Sequence, residues 1–167
     1  WHNKKNMKYF KEKDLEEIIY NADRNELQKR GLPISGKLIR QRNILNYGRA
    51  DLLEVGRGFA LDSLIFTIYE LKQEKIGISA FLQAIKYAKG IQQMLDQKER
   101  NFIYEINIVL IGSELDTSGA FCYLPDLIDR AGGYTGGIGF IKYYTYSYQI
   151  DGIFFKEHNG YQLKGGD

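Results

Sequence analysis

Residues 48–87 read GRADLLEVGRGFALDSLIFTIYELKQEKIGISAFLQAIKY. In this run, Gly56-Arg-Gly58 is typical of a turn between two extended segments. Ser63–Lys72 is rich in β-branched and aromatic residues and is apolar on both faces until its end, which predicts a central strand buried on both sides. Gly77–Asp96 has apolar residues at helical spacing and predicts a helix, with Ser79 as its N-cap.

Further segments on both sides of this run complete the predicted architecture. Starting before the run, we predict an amphipathic helix over Lys11–Lys29 and extended chain over Lys37–Val55. After it we predict a buried strand over Phe102–Ile111, a short helix over Leu124–Arg130, and strands over Gly137–Gln149 and Asp151–Phe155. This order predicts an α/β fold with a mixed β-sheet flanked by helices. A length of 167 residues predicts a single domain. Within it we expect residues 1–10 to be frayed, residues 11–111 to hold the core motif, and residues 112–167 to add strands and a short helix.

Composition excludes several classes of protein. The single cysteine, Cys122, rules out a disulfide framework and favours a reducing compartment such as the cytoplasm. No apolar run approaches the roughly 18 residues of a membrane span, so no membrane association is expected. The chain begins with Trp1 rather than Met, as in a trimmed chain or a piece of a longer protein.

The net charge of +2 is unevenly distributed. Residues 1–100 carry a balance of +6, and residues 101–167 carry −4. A basic half favours a polyanionic partner such as nucleic acid, although lysine-rich helix surfaces would produce the same imbalance.

Two carboxylates and a lysine fall at the ends of neighbouring predicted strands. Glu70 and Lys72 are two residues apart, so they project from the same face of a strand. If the preceding strand pairs with it in antiparallel fashion, Asp51 reaches the same corner. Buried carboxylates repel each other and lose hydration, and a hard divalent cation such as Mg²⁺ relieves both costs. A metal beside an ammonium group suits phosphodiester hydrolysis, whereas the plainer interpretation is a salt bridge at a strand end.

Gln83 and Tyr87 are four residues apart on the following helix and therefore share one face. With them, the pattern D…E-x-K…Q-x-x-x-Y resembles the PD-(D/E)XK nuclease superfamily, especially its RecB-type and NucS-type branches, across roughly residues 11–111. The resemblance implies a restriction-endonuclease-like fold and hydrolysis of nucleic acid with Mg²⁺ or Mn²⁺, with DNA favoured over RNA. The proline of the family name is missing, because Ala50 precedes Asp51.

The resemblance also implies a role for each matched residue. The metal would be held by the side chains of Asp51 and Glu70 and by the backbone carbonyl of Leu71. Lys72 would position the attacking water, and the Gln-Tyr pair would orient Lys72 or the scissile phosphate.

The family adds a glutamate from its first helix, in an E-x-x-L context. Glu12 matches that context and is the first choice, with Glu16 second.

Contacts to nucleic acid are predicted from basic residues around the motif: Arg40, Arg42 and Arg49 before it, and Lys75, Lys86 and Lys89 beside or after it. The alternating tyrosines would stack on unpaired bases, pack in the core or form a homodimer face; they are Tyr143, Tyr144, Tyr146 and Tyr148. Two other functions stay open. One is a catalytically inactive nucleic-acid-binding module on a nuclease fold, and the other is a non-enzymatic, oligomerising interaction domain.

Overall fold

The computed structural model describes residues 10–60, 62–98, 103–123 and 138–158. The helices in these ranges are α1 Glu12–Asn21, α2 Arg24–Lys29 and α3 Ile78–Asp96. The strands are β1 Lys37–Asn43, β2 Arg49–Arg57, β3 Ser63–Leu71, β4 Lys75–Ile76, β5 Ile103–Gly112, β6 Glu114–Leu115, β7 Ile138–Gln149 and β8 Gly152–His158. None of the described helices is long and apolar enough to cross a membrane.

Six strands form one mixed sheet in the order β1-β2-β3-β5-β7-β8. The pairs β1–β2, β2–β3 and β7–β8 are antiparallel, whereas β3–β5 and β5–β7 are parallel. The parallel pair β3–β5 needs a crossover, and α3 provides it by carrying the chain back to the start of β5. The chain is therefore α/β with a mixed sheet flanked by helices, as its sequence predicts.

Each face of the sheet has its own hydrophobic core. On one face α3 buries Phe81 against sheet residues such as Leu53 and Ile68. On the opposite face α1 buries Leu15 against Leu52. Leu52 and Leu53 are consecutive in β2, which shows how the two-residue period of a strand supplies both cores. Each fully buried leucine or phenylalanine side chain contributes about 1.5–3 kcal/mol to the stability of the fold, so both cores stabilise the packing of the helices on the sheet.

The structure corrects three predictions made from the sequence: one helix, one extended segment and one helix cap. The helix predicted over Lys11–Lys29 is broken, because Ala22 takes an extended conformation and Asp23 begins a second helix. The Asp23 carboxylate accepts hydrogen bonds from the backbone N–H groups of Asn25 and Glu26, at 2.9 and 3.2 Å. This is an N-cap, and it makes a new helix start more favourable than continuation.

The extended chain predicted over Lys37–Val55 is instead a hairpin of β1 and β2, joined through a 3-10 turn at Leu45–Tyr47. Gly48 closes the turn with φ +111°, a conformation that favours glycine. Ser79 is not the cap of α3, because the helix begins at Ile78 with Gly77 at the N-cap and no side-chain cap. The short helix predicted over residues 124–130 lies outside the described residues.

Candidate active site

Asp51 and Glu70 come together because β2 and β3 pair in antiparallel register. The register pairs of β2 and β3 end with Leu53 opposite Ile68 and Leu52 opposite Tyr69. Asp51 and Glu70 are the next residues of the two strands, and the charge of Asp51 acts on Glu70, so their side chains lie close together. Residues opposite each other in an antiparallel pair project from the same face. That face is the one covered by α3, since Leu53 and Ile68 pack in its core.

The backbone of Leu71, between Glu70 and Lys72, links β3 to Asp51 of β2 at this corner. The backbone N–H of Leu71 donates a hydrogen bond of 3.0 Å to the carboxylate of Asp51. Lys72 Nζ lies 2.8 Å from Glu70 Oε1 in an ion pair whose side chains are 31% and 4% exposed, respectively. The other oxygen of Glu70, Oε2, is buried and has no hydrogen-bond partner among the described residues. A buried acceptor without a partner destabilises the fold, so a proton or a cation beside Glu70 Oε2 would be stabilising.

Both carboxyl groups are harder to ionise than usual. Burial, with a smaller contribution from the charge of Glu12, raises the pKa of Asp51 to about 6 despite the opposing hydrogen bond from the Leu71 N–H. Burial and the charge of Asp51 raise the pKa of Glu70 to about 7, and the ion pair with Lys72 offsets only part of this rise. Burial alone would lower the pKa of Lys72, but its hydrogen bond and charge interaction with Glu70 leave the pKa above its ordinary value.

Gln83 and Tyr87 face this corner from α3. The Gln83 amide donates a hydrogen bond to the Tyr87 hydroxyl, which confirms that the two residues share one helix face. Burial raises the pKa of Tyr87, and the charges of Glu70 and Asp51 add to the rise, so the hydroxyl lies within electrostatic reach of the pair. The turn at Gly48 packs on the same ring, because a Cβ there would stand 3.3 Å from a Tyr87 ring carbon.

The first helix approaches the corner without completing a metal site of side chains. Glu16 is 4% exposed, and its two oxygens accept hydrogen bonds from Arg40 Nε at 2.9 Å and Gln41 Nε2 at 3.2 Å. Glu12 is half-buried, and its charge acts on Asp51, Glu70 and Lys72. Within the described ranges, no three or more His, Cys, Asp or Glu side chains converge in a way that could hold a metal ion. The role of Glu12 as a ligand therefore stays a prediction.

The predicted contacts to nucleic acid separate into engaged and exposed residues. Arg40 is already paired with Glu16, and its guanidinium lies 5.1 Å from the centre of the Tyr20 ring. Arg42 and Arg49 are exposed on either side of the β1–β2 turn. The predicted lysines are exposed as well, on β4 and α3; they are Lys75, Lys86 and Lys89.

The tyrosines of β7 are core residues for the most part. Tyr143, Tyr144 and Tyr146 are buried, and Tyr148 is half-buried beside Phe10. Of the predicted alternatives, core packing is confirmed for the three buried rings, which lie under the layers that cover the sheet and leave no face for base stacking.

Sequence reasoning missed Gln41. It holds Glu16 and lies across the hairpin from Asp51, between the register pairs Arg40–Leu52 and Arg42–Ala50. Its φ of +45° is unusual for a residue other than glycine and costs on the order of 1–3 kcal/mol. No local pattern marks this position, because its importance arises from the pairing of two strands.

The chain matched no family model, no curated protein and no solved structure. The resemblance to PD-(D/E)XK nucleases over roughly residues 11–111 therefore stays a prediction from the sequence.

Proposed function

We propose that this protein is a metal-dependent nuclease that hydrolyses phosphodiester bonds in DNA. The observation that carries the proposal is the buried pair Asp51–Glu70 beside Lys72, with Glu70 Oε2 lacking any partner among the described residues. Burial raises the pKa of both carboxyl groups, and the charge of Asp51 raises that of Glu70 further, so a cation beside the pair is favoured. A fold that served only for packing would be more stable with apolar residues here.

The residues present suit Mg²⁺ or Mn²⁺. Asp51 and Glu70 would hold the ion, together with the backbone carbonyl of Leu71, and Glu12 would contribute directly or through water. Mg²⁺ commonly binds through only one or two carboxylates and keeps several waters, so a third side-chain ligand is not required. When bound, the metal would polarise the phosphate and acidify a water molecule.

The protein's own groups would orient the reaction. Lys72 is held by Glu70 at the edge of the site, partly exposed, where its ammonium group can position a water molecule or a phosphate oxygen. The Tyr87 hydroxyl, fixed by Gln83, would orient the same groups from α3. Arg42 and Arg49 would contact phosphates along the strand, because they are exposed beside the turn that leads into Asp51.

Two finer assignments belong to the same proposal. The restriction-endonuclease-like fold is supported by the sheet order and by an E-x-K motif at the end of a strand that precedes a crossover helix. The cytoplasm as the site of action is supported by the single cysteine in the sequence.

Replacement of Lys72 by alanine tests the proposal. Wild type and Lys72→Ala are incubated with supercoiled plasmid and with a single-stranded oligonucleotide, in Mg²⁺ or Mn²⁺. We expect cleavage by wild type and loss of cleavage by Lys72→Ala, with unchanged thermal stabilisation by Mn²⁺. Lys29→Ala is the matched control, because Lys29 is an exposed lysine of α2 in a surface ion pair.

The other outcomes identify the alternatives. Binding of nucleic acid without cleavage by wild type would indicate an inactive binding module. Neither binding nor cleavage, together with self-association, would indicate an interaction domain or homodimer. Cleavage by Lys72→Ala within a few-fold of wild type would contradict the role given to Lys72.

A further inference from the structure

A row of polar residues crosses the sheet on the face opposite Asp51 and Glu70. Glu54 of β2 lies opposite Thr67 of β3, and Thr67 lies opposite Asn107 of β5. All three are buried, with exposures of 9%, 5% and 2%. Each interrupts an otherwise apolar stretch of its strand, so the register of three strands turns isolated polar residues into one continuous row.

This polar row lines an open cavity of about 530 Å³. The walls include Pro33 and Gly36 of the loop before β1, Phe59 of the β2–β3 turn and Phe140 of β7. The size falls within the range of about 300–1,000 Å³ that is usual for pockets that bind small molecules.

The hydrogen bonds within the row leave specific groups available. Glu54 is fully engaged, because it accepts from the N–H groups of Ser35 and Gly36 at 3.0 and 2.6 Å and from the Tyr69 hydroxyl at 2.7 Å. Asn107 Oδ1 accepts the Phe140 N–H at 2.9 Å.

The Asn107 amide NH₂ and the Thr67 hydroxyl have no partner among the described residues. Neither is fully buried as an atom, so both reach the solvent of the cavity that their residues line. The floor of the cavity therefore offers hydrogen-bond donors to a ligand.

Charge and ring content narrow the chemistry of that ligand. Among the described residues, two carboxylates and two cations line the cavity, and their charges balance; they are Glu54, Glu105, Arg57 and Lys142. Four aromatic residues also line it. Tyr69 and Tyr144 are buried in the sheet, Phe140 is half-buried on β7, and Phe59 is fully exposed at the edge of the cavity. A flat aromatic ligand suits these walls, and an edge with hydrogen-bond acceptors suits the donors of Thr67 and Asn107.

We propose that this cavity binds a nucleobase, the neutral planar heterocycle with carbonyl and ring-nitrogen acceptors along its edge. The base would arrive as a free nucleoside or as an unpaired base of a strand. The site is separate from the corner of Asp51 and Glu70, because it lies on the other face of the sheet. The proposal does not depend on nuclease activity, and its test measures binding with EDTA present.

The test uses uridine, cytidine, adenosine and guanosine as probes, with binding followed by calorimetry and by NMR. Gly56 lines the cavity, and no atom lies within 4 Å of a Cβ built at this glycine, so Gly56→Leu fills part of the cavity from an open position. Thr67→Val removes the hydroxyl while keeping the shape, and Thr67→Ser is its matched control because it keeps the hydroxyl. Thermal melts of each variant confirm folding.

We expect saturable binding of at least one nucleoside by wild type. Gly56→Leu should weaken binding by about tenfold or more, and Thr67→Val by about three- to tenfold, the usual range for one lost hydrogen bond. Thr67→Ser should remain within about twofold of wild type. Weaker binding of a single-stranded oligonucleotide by Gly56→Leu would identify a base within a strand as the ligand, and unchanged binding would identify the free nucleoside. No binding of any nucleoside up to roughly 5 mM, or binding that Gly56→Leu leaves intact, would overturn the proposal.

Discussion

Replacing Glu70 with glutamine should make the metal-free protein more stable at alkaline pH but not at acidic pH. The reason is that the fold raises the pKa of Glu70 to about 7, from an ordinary value of 4.5. The folded protein then holds a proton that the unfolded chain releases between about pH 4.5 and 7, so stability falls as pH rises through this window. Glutamine is uncharged at every pH and removes this contribution.

The magnitude follows from the pKa. Each pKa unit corresponds to about 1.4 kcal/mol, so ionised Glu70 costs the fold roughly 3 kcal/mol above pH 7. The side chain is only 4% exposed, so solvent screens little of this cost. In a domain of this size 1 kcal/mol moves the melting temperature by about 2–4 °C, which makes the effect roughly 6–12 °C.

The assay is urea denaturation of wild type and Glu70→Gln in EDTA at pH 4.5 and at pH 8. The stability difference between the two proteins should change by roughly 3 kcal/mol between these pH values, in favour of Glu70→Gln at pH 8. Comparing two pH values cancels the cost of burying the amide, because that cost is present at both. Glu114→Gln is the control, since Glu114 is an exposed glutamate of β6. A difference that does not vary with pH would refute the reasoning, because it would mean that Glu70 ionises freely in the fold.

Three further predictions concern the metal, the basic residues and the backbone. Mn²⁺ should stabilise wild type at pH 8, by about 2.7 kcal/mol at a hundred times its dissociation constant; thermal melts should show little of this in Asp51→Asn, and equal stabilisation of both would move the metal elsewhere. Binding to DNA, measured by fluorescence anisotropy in Ca²⁺ in place of Mg²⁺, should weaken with salt with a slope of log K against log salt of about −2 to −4 for three to five engaged cations. Replacing Arg42 and Arg49 together should flatten that slope by up to about two. Arg40→Ala should change the slope little, because Arg40 pairs with Glu16. A slope that the double replacement leaves unchanged would exclude the exposed arginines as phosphate contacts. Gly31→Ala should cost about 2 kcal/mol or more in urea denaturation, because φ is +97° and a Cβ would lie 2.1 Å from the carbonyl oxygen of Phe155; Gly56→Ala, which meets no atom within 4 Å, should cost far less, and equal costs would contradict the explanation.

Local periodicity in the sequence was sufficient to predict the centre of the fold. The strand predicted over Ser63–Lys72 is observed over Ser63–Leu71, and the helix predicted over Gly77–Asp96 is observed over Ile78–Asp96. The shared helix face of Gln83 and Tyr87 followed in the same way. These features depend on residues two to four positions apart, and the geometry of a single strand or helix fixes such distances.

Features that depend on contacts between distant segments required the tertiary structure. Glu16 matched an expected ligand position, but Arg40 and Gln41 occupy both of its oxygens because the β1–β2 hairpin folds beside α1. The row of Glu54, Thr67 and Asn107 exists because three strands pair in one particular register. A shift of one residue would turn each of these side chains to the other face of the sheet, and no spacing within a single strand reveals which register is adopted. The sequence alone therefore determined which residues share a face within each element, whereas strand pairing decided which faces meet and which polar groups are left without a partner.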